Sequence, residues 1–187
     1  MNPFIKIVSG GILLSLLVST SQLSANELPN LDGIWSSEGI ENYGTVYATR
    51  TFVFKDKSWS VAFDAYADSQ KKLPLFSLDV GGFYVVGNPS SIVNGASEGI
   101  FPANHRNVIA QSNAGVQMFA SMGCNLEIGK STPLVNQGCG FIPGLMQSMG
   151  EYDLLSYKNG KLYFGDRSGD LTKSRPNTLT TYPVVKK

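Results

Sequence analysis

Histidine is almost absent from this chain and cysteine is scarce: His105 stands alone, and Cys124 and Cys139 are the only thiols. A serine–histidine or cysteine–histidine site therefore has a single candidate base. That histidine lies in Pro102-Ala103-Asn104-His105-Arg106-Asn107, which reads as loop, and no Gly-x-Ser-x-Gly elbow accompanies it. Two cysteines and one histidine cannot fill a closed zinc site without carboxylates. Phosphate-binding glycine motifs, internal repeats and low-complexity tracts are missing. Charge is sparse and balanced, with 15 basic and 14 acidic residues and no basic block beyond Lys186-Lys187. Such a balance argues against nucleic acid as a partner. No metal, no cofactor and no catalysis are expected.

What is present begins with a leader. Lys6, the apolar run Ile12 to Val18 and the small residues Ser24-Ala25 form a secretory signal peptide over residues 1–25. The remainder, 26–187, has the length of one domain, secreted or periplasmic, and no later apolar run is long enough to span a bilayer. In that setting Cys124 and Cys139 are expected to form one disulfide; two free buried thiols are the alternative.

Leu31 to Asp68 organises the rest. Strands are predicted over 31–37, 45–55 and 58–67, with Asp56-Lys57 as the turn between the last two. In the third, Trp59, Val61, Phe63 and Ala65 share one face and Ser60, Ala62 and Asp64 the other, the alternation of a strand buried on one side. Leu73 to Gly87 reads as two strands meeting at a bulge or bend at Gly81-Gly82. Asn88 to Asn107 reads as loop, Val108 to Met122 as a helix capped near Gly123, and Cys124 to Gly150 as irregular. Tyr152 to Phe164 is a hairpin turning at Asn159-Gly160. Leu179 to Val185 is a last edge strand, limited by Pro183.

Charged residues inside this pattern are few. Glu38, Glu41, Asp64 and Asp68 read as solvated turn or strand-end groups. Arg50 interrupts an uncharged strand and shares its face with Val46, Ala48, Phe52 and Phe54. A guanidinium there needs a partner, with Asp64 or Glu41 as candidates, and its role is expected to be structural.

Several ordered segments carry a resemblance. They are Gly33-Ile34-Trp35, Ser37 to Glu41, Thr49-Arg50-Thr51-Phe52, Tyr66-Ala67-Asp68 and Pro74 to Gly81. Later come Gly138-Cys139-Gly140, Glu151-Tyr152-Asp153-Leu154, Leu162 to Arg167 and Ser174-Arg175-Pro176. Together they resemble the adenomatosis-polyposis-coli-down-regulated family, the animal Wnt-antagonist proteins. Ile40 stands where that family has a cysteine, and one domain without a membrane anchor is expected here, so Wnt antagonism is not carried over. The resemblance implies a lipocalin-like barrel with an apolar cavity for an acyl chain. It also makes Thr49, Arg50, Gly165, Asp166 and Arg167 framework, and Gly33-x-Trp35, which resembles the start of a lipocalin, makes Trp35 structural.

The expected fold is mainly β, an antiparallel lipocalin-like barrel with one helix packed against it. The expected function is binding of a lipid or other hydrophobic small molecule, with Phe54, Trp59, Phe63, Phe76, Phe83 and Val85 lining the cavity. Those side chains can instead fill a dry core. A protein-interaction module using the apolar loop Gly140 to Met146 is the alternative. An enzyme using His105, Arg106 or Asp166 ranks last.

Overall fold

The computed structural model describes residues 27–187. The signal-peptide expectation falls on residues 1–25 and lies outside them. Strands β1 (Gly33–Ser37), β2 (Glu41–Asn42), β3 (Tyr47–Lys55) and β4 (Ser58–Tyr66) come first. The β3–β4 hairpin turns on Asp56 and Lys57, at φ 48° and 64°. A pair of left-handed residues matches the twist of the flanking strands. Next come β5 (Pro74–Phe83), β6 (Val85–Pro89), β7 (Ser97–Ala110) and helix α1 (Asn113–Ala120). The last elements are β8 (Thr132–Pro133), a 3-10 turn at Leu145–Gln147, β9 (Gly150–Lys158), β10 (Lys161–Phe164) and β11 (Val184–Lys186). Asn159 and Gly160, at φ 54° and 78°, make the turn of the β9–β10 hairpin.

Hydrogen bonding runs β1-β11-β10-β9-β7-β5-β4-β3, every pair antiparallel, and β1 pairs back onto β3. Eight strands thus close a barrel, and β2, β6 and β8 extend β3 and β7. Closure leaves the main barrel without a free edge. The mainly β reading and the packed helix hold.

Four local expectations are corrected. Most of the supposed loop 88–107 belongs to β7, a 14-residue strand. The helix starts later than Val108, because Val108 and Ala110 are ladder residues opposite Leu78 and Phe76. Ser112 caps it, its hydroxyl accepting from Gly115 N–H at 3.2 Å. Gly115 is there for space: a Cβ would lie 1.9 Å from the Leu75 carbonyl oxygen. The last strand is no edge, since β11 lies between β10 and β1. Finally, the irregularity opposite Gly81-Gly82 is carried by β7, where Gly81 pairs with His105 and Gly82 with Ala103. Asn104 is the extra residue, and β5 pairs with β4 without a shift from Phe83 through Gly81-Gly82 to Phe76.

Two apolar clusters fill the barrel. One gathers Leu31, Trp35, Phe52, Phe54, Phe101, Leu155, Leu162, Phe164 and Val184. The other gathers Leu75, Phe76, Val108, Phe119, Leu134 and Ile142, where α1 and the following loop pack on the strands.

Candidate functional site

Between the two clusters lies a cavity of about 350 Å³. Trp59, Val61 and Phe63, successive inward residues of β4, line one wall, with Leu78 and Val80 of β5 beside them. At the strand rise this wall is about 13 Å long. Phe52, Phe101 and Phe164 border the cavity from the first cluster; Phe141, Ile142 and Pro143 enter from the loop before β9. Trp59 is held by its indole N–H, which donates to the carbonyls of Phe83 and Pro102 at 3.1 and 3.3 Å.

Two groups of charges stand against this apolar lining. In the first, Arg50 Nε donates to both oxygens of Glu41 at 3.0 and 2.9 Å, and Nη2 donates to the Tyr182 carbonyl at 2.7 Å. Ser37 and Tyr43 hydroxyls donate to the same carboxylate at 2.7 and 2.5 Å. Both Arg50 and Glu41 are buried. Burial raises the Tyr43 hydroxyl well above its ordinary value; Arg50 opposes the shift and the Glu41 hydrogen bond adds to it.

The second group joins β7, β9 and the segment after β10. Arg106 donates to the carbonyls of Pro143 and Ser148 at 3.0 and 3.2 Å and pairs with Glu151 at 3.4 Å. Glu151 also pairs with Arg167, which reaches Asp153 at 3.4 Å. Asp153 Oδ1 accepts from Leu154 and Gly165 N–H, each at 2.7 Å. Burial pushes Asp153 up from 3.8 to about 6, with Arg167 and the two N–H groups opposing. Burial also disfavours the Glu151 charge, but Arg167, Ser148 and Arg106 outweigh it and hold the carboxyl below its usual value. Arg106 is lowered by burial, against the pull of Glu151. Crowding by the neighbouring side chains opposes the charge of the half-exposed Arg167, yet Glu151 and Asp153 keep it above its ordinary value.

The family profile described as Adenomatosis polyposis coli down-regulated 1 matches residues 13–141, more than half of the chain. The chain belongs to the adenomatosis polyposis coli down-regulated family. No curated protein matches it. Within the matched segment lie β1 to β8, the helix and both cysteines; Glu151, Asp153, Phe164 and Arg167 lie beyond it.

In this family member the six side chains expected to line a cavity separate into three groups. Trp59 and Phe63 border it. Phe54 and Phe76 are buried in the two clusters, Phe54 against Phe52 and Phe76 against Phe119. Phe83 and Val85 face outward, more than half exposed. The reason is the bulge: with the extra residue in β7, even-numbered β5 residues stay inward, and Tyr84, not Phe83, packs on Phe54 and Phe101.

The framework residues are placed as follows. Trp35 is buried on β1, its N–H donating to the Leu31 carbonyl at 2.7 Å. Arg50 has Glu41 as its partner; Asp64 bonds the Ser77 hydroxyl instead. Gly165 packs under Pro176, Asp166 accepts from Ser168 N–H, and Arg167 borders the cavity. Cys124 and Cys139 form the disulfide, across a separation of 15. It ties the end of α1 to the loop that brings Phe141 to Pro143 to the cavity.

His105 lies on a strand, half-buried beside Asp79 at 3.5 Å, and does not line the cavity. Among the described residues no helix is long and apolar enough to cross a membrane. Val61, Leu78 and Val80 follow from the alternation that Trp59 and Phe76 begin. Glu151 and Asp153 stand in a segment that carries the family resemblance, but nothing in the sequence shows their place at the cavity, because their partners come from distant segments.

Proposed function

We propose that this barrel is a secreted, non-enzymatic binder of a lipid or other hydrophobic small molecule. The observation that supports it is the cavity of about 350 Å³ lined by Trp59, Phe63, Phe101 and Phe164. That volume is near the lower end of the roughly 300–1,000 Å³ of small-molecule sites, so it suits one acyl chain rather than several. Each methylene buried there contributes about 0.8 kcal/mol, so apolar burial supplies the affinity and the charged end supplies orientation. Native mass spectrometry before and after delipidation tests the reading. A co-purifying species, and a thermal shift with fatty acids that Trp59→Ala and Phe63→Ala reduce, are the expected results. A ligand-free spectrum together with no thermal shift for any fatty acid or phospholipid would sink it.

A second reading draws on Phe141, Met146 and Met149, all more than half exposed on the loop before β9. Such a surface suits a protein partner. It predicts that Met146→Ser and Met149→Ser abolish partner capture while leaving lipid binding intact.

A further inference from the structure

We infer that the cavity takes a single-chain amphiphile with an anionic head, and that Arg167 binds that head; the inference rests on the hydrophobic-ligand reading above. Of the charges at the cavity, Arg50 and Glu41 are closed off by each other. Arg106 is buried, its side chain 6% exposed, with Nη1 and Nη2 on the carbonyls of Pro143, Gly144 and Ser148 and on Glu151. Arg167 differs: its side chain is 52% exposed, against 19% for Glu151 and 5% for Asp153. Like Arg106 it bonds through Nη1 and Nη2, with no bond from Nε among the described residues, but here the exposure leaves that Nε within reach of an occupant. The charge offered to an occupant is therefore a guanidinium. Asp153 turns one oxygen to two backbone N–H groups, and Glu151 accepts from the Ser148 hydroxyl and two arginines. A cationic head would meet Arg167 before either acid.

A guanidinium matches the two oxygens of a carboxylate or the oxygens of a phosphate in a fork. The wall of Trp59, Val61 and Phe63 then takes the chain.

Isothermal titration of the whole protein at pH 8 with decanoate, 1-decanol and decylammonium tests this. Decanoate is expected to bind about 10–100-fold more tightly than decanol, with decylammonium weakest. Arg167→Gln should bring decanoate to within about threefold of decanol, and Arg167→Lys, which keeps the charge, should retain the preference. Equal binding of all three probes, or a decanoate preference that survives Arg167→Gln, overturns the head assignment alone. Binding of none of them overturns the hydrophobic-ligand reading together with it. Should Arg167→Gln fail to fold, the native panel and Arg167→Lys decide: loss of the preference in Arg167→Lys counts against a charge-based role.

Discussion

Arg50 and Arg167 meet carboxylates inside the same barrel and end up in opposite situations. Arg50 is sealed: Glu41 takes Nε, the Tyr182 carbonyl takes Nη2, and the rings of Phe52 and Phe164 lie 5.7 and 5.8 Å from its guanidinium carbon. Arg167 shares Glu151 with Arg106 and stays half exposed at the cavity. Residue type does not separate a lock from a binding group here. What separates them is exposure: the Arg50 side chain is 8% exposed and that of Arg167 52%.

Three experiments bear on this contrast. The largest effect is expected at the sealed pair. Arg50→Ala leaves the Glu41 carboxylate buried without its cation, at a cost of about 3–5 kcal/mol in urea denaturation. Joint replacement by Arg50→Met and Glu41→Leu should cost less than Arg50→Ala alone, because no charge remains stranded. Arg167→Gln should cost under about 2 kcal/mol, since Arg106 still compensates Glu151 and water reaches the site. Equal losses for Arg50→Ala and Arg167→Gln would erase the distinction.

The disulfide sets the second contrast. Cys124→Ser with Cys139→Ser should remove about 3 kcal/mol, the loop-closure value for 15 residues. Hydrogen exchange should then speed up at Leu145 and at the amide of position 139, whose N–H groups bond the Leu134 and Ile142 carbonyls in the loop that Arg106 holds. Amides between Glu41 and Arg50 should change only with global stability. Uniform acceleration would show that the disulfide supports the whole barrel and not the cavity loop.

The third effect is a pH dependence. Asp153 holds its proton more tightly folded, near 6, than at its ordinary 3.8. Its ionisation therefore costs stability above about pH 6, and the cost disappears as pH falls toward 4. Asp153→Asn removes that component. Relative to the native protein it should gain about 2–3 kcal/mol between pH 4 and pH 7. Glu151, shifted downward, acts with the opposite sign but is present in both proteins. A stability difference flat across this range would refute the shifted Asp153.

Legibility in the sequence followed locality. The β3–β4 and β9–β10 hairpins show in alternation and turn residues because both partners are adjacent in the chain. Strand β7 does not show. Its Gly99, Pro102, Asn104 and Asn107 have low strand propensity, and it forms because β5 or β6 flanks it on one side and β8 or β9 on the other. Pro102 is tolerated where the β9 pairing ends, opposite Gly150. The same locality governs the site. Arg50 was visible because it breaks an apolar run, and Trp59 and Phe63 because they alternate. Phe83 and Val85 were misplaced because the sequence shows a Gly81-Gly82 irregularity without showing which strand carries it.

Closure has a consequence for the order of events as the chain is made. β11 is the last strand, and it pairs with β1, the first: Trp35 opposite Lys186 and Ser37 opposite Val184. Until those residues emerge, β1 and β10 present unpaired edges. Contacts of such long sequence separation form slowly. Arg50 also waits, since the Tyr182 carbonyl that takes its Nη2 arrives just before β11. A partly synthesised chain is an open sheet with an incompletely paired guanidinium, so the interval before β11 joins is when this protein is most exposed to association with other chains.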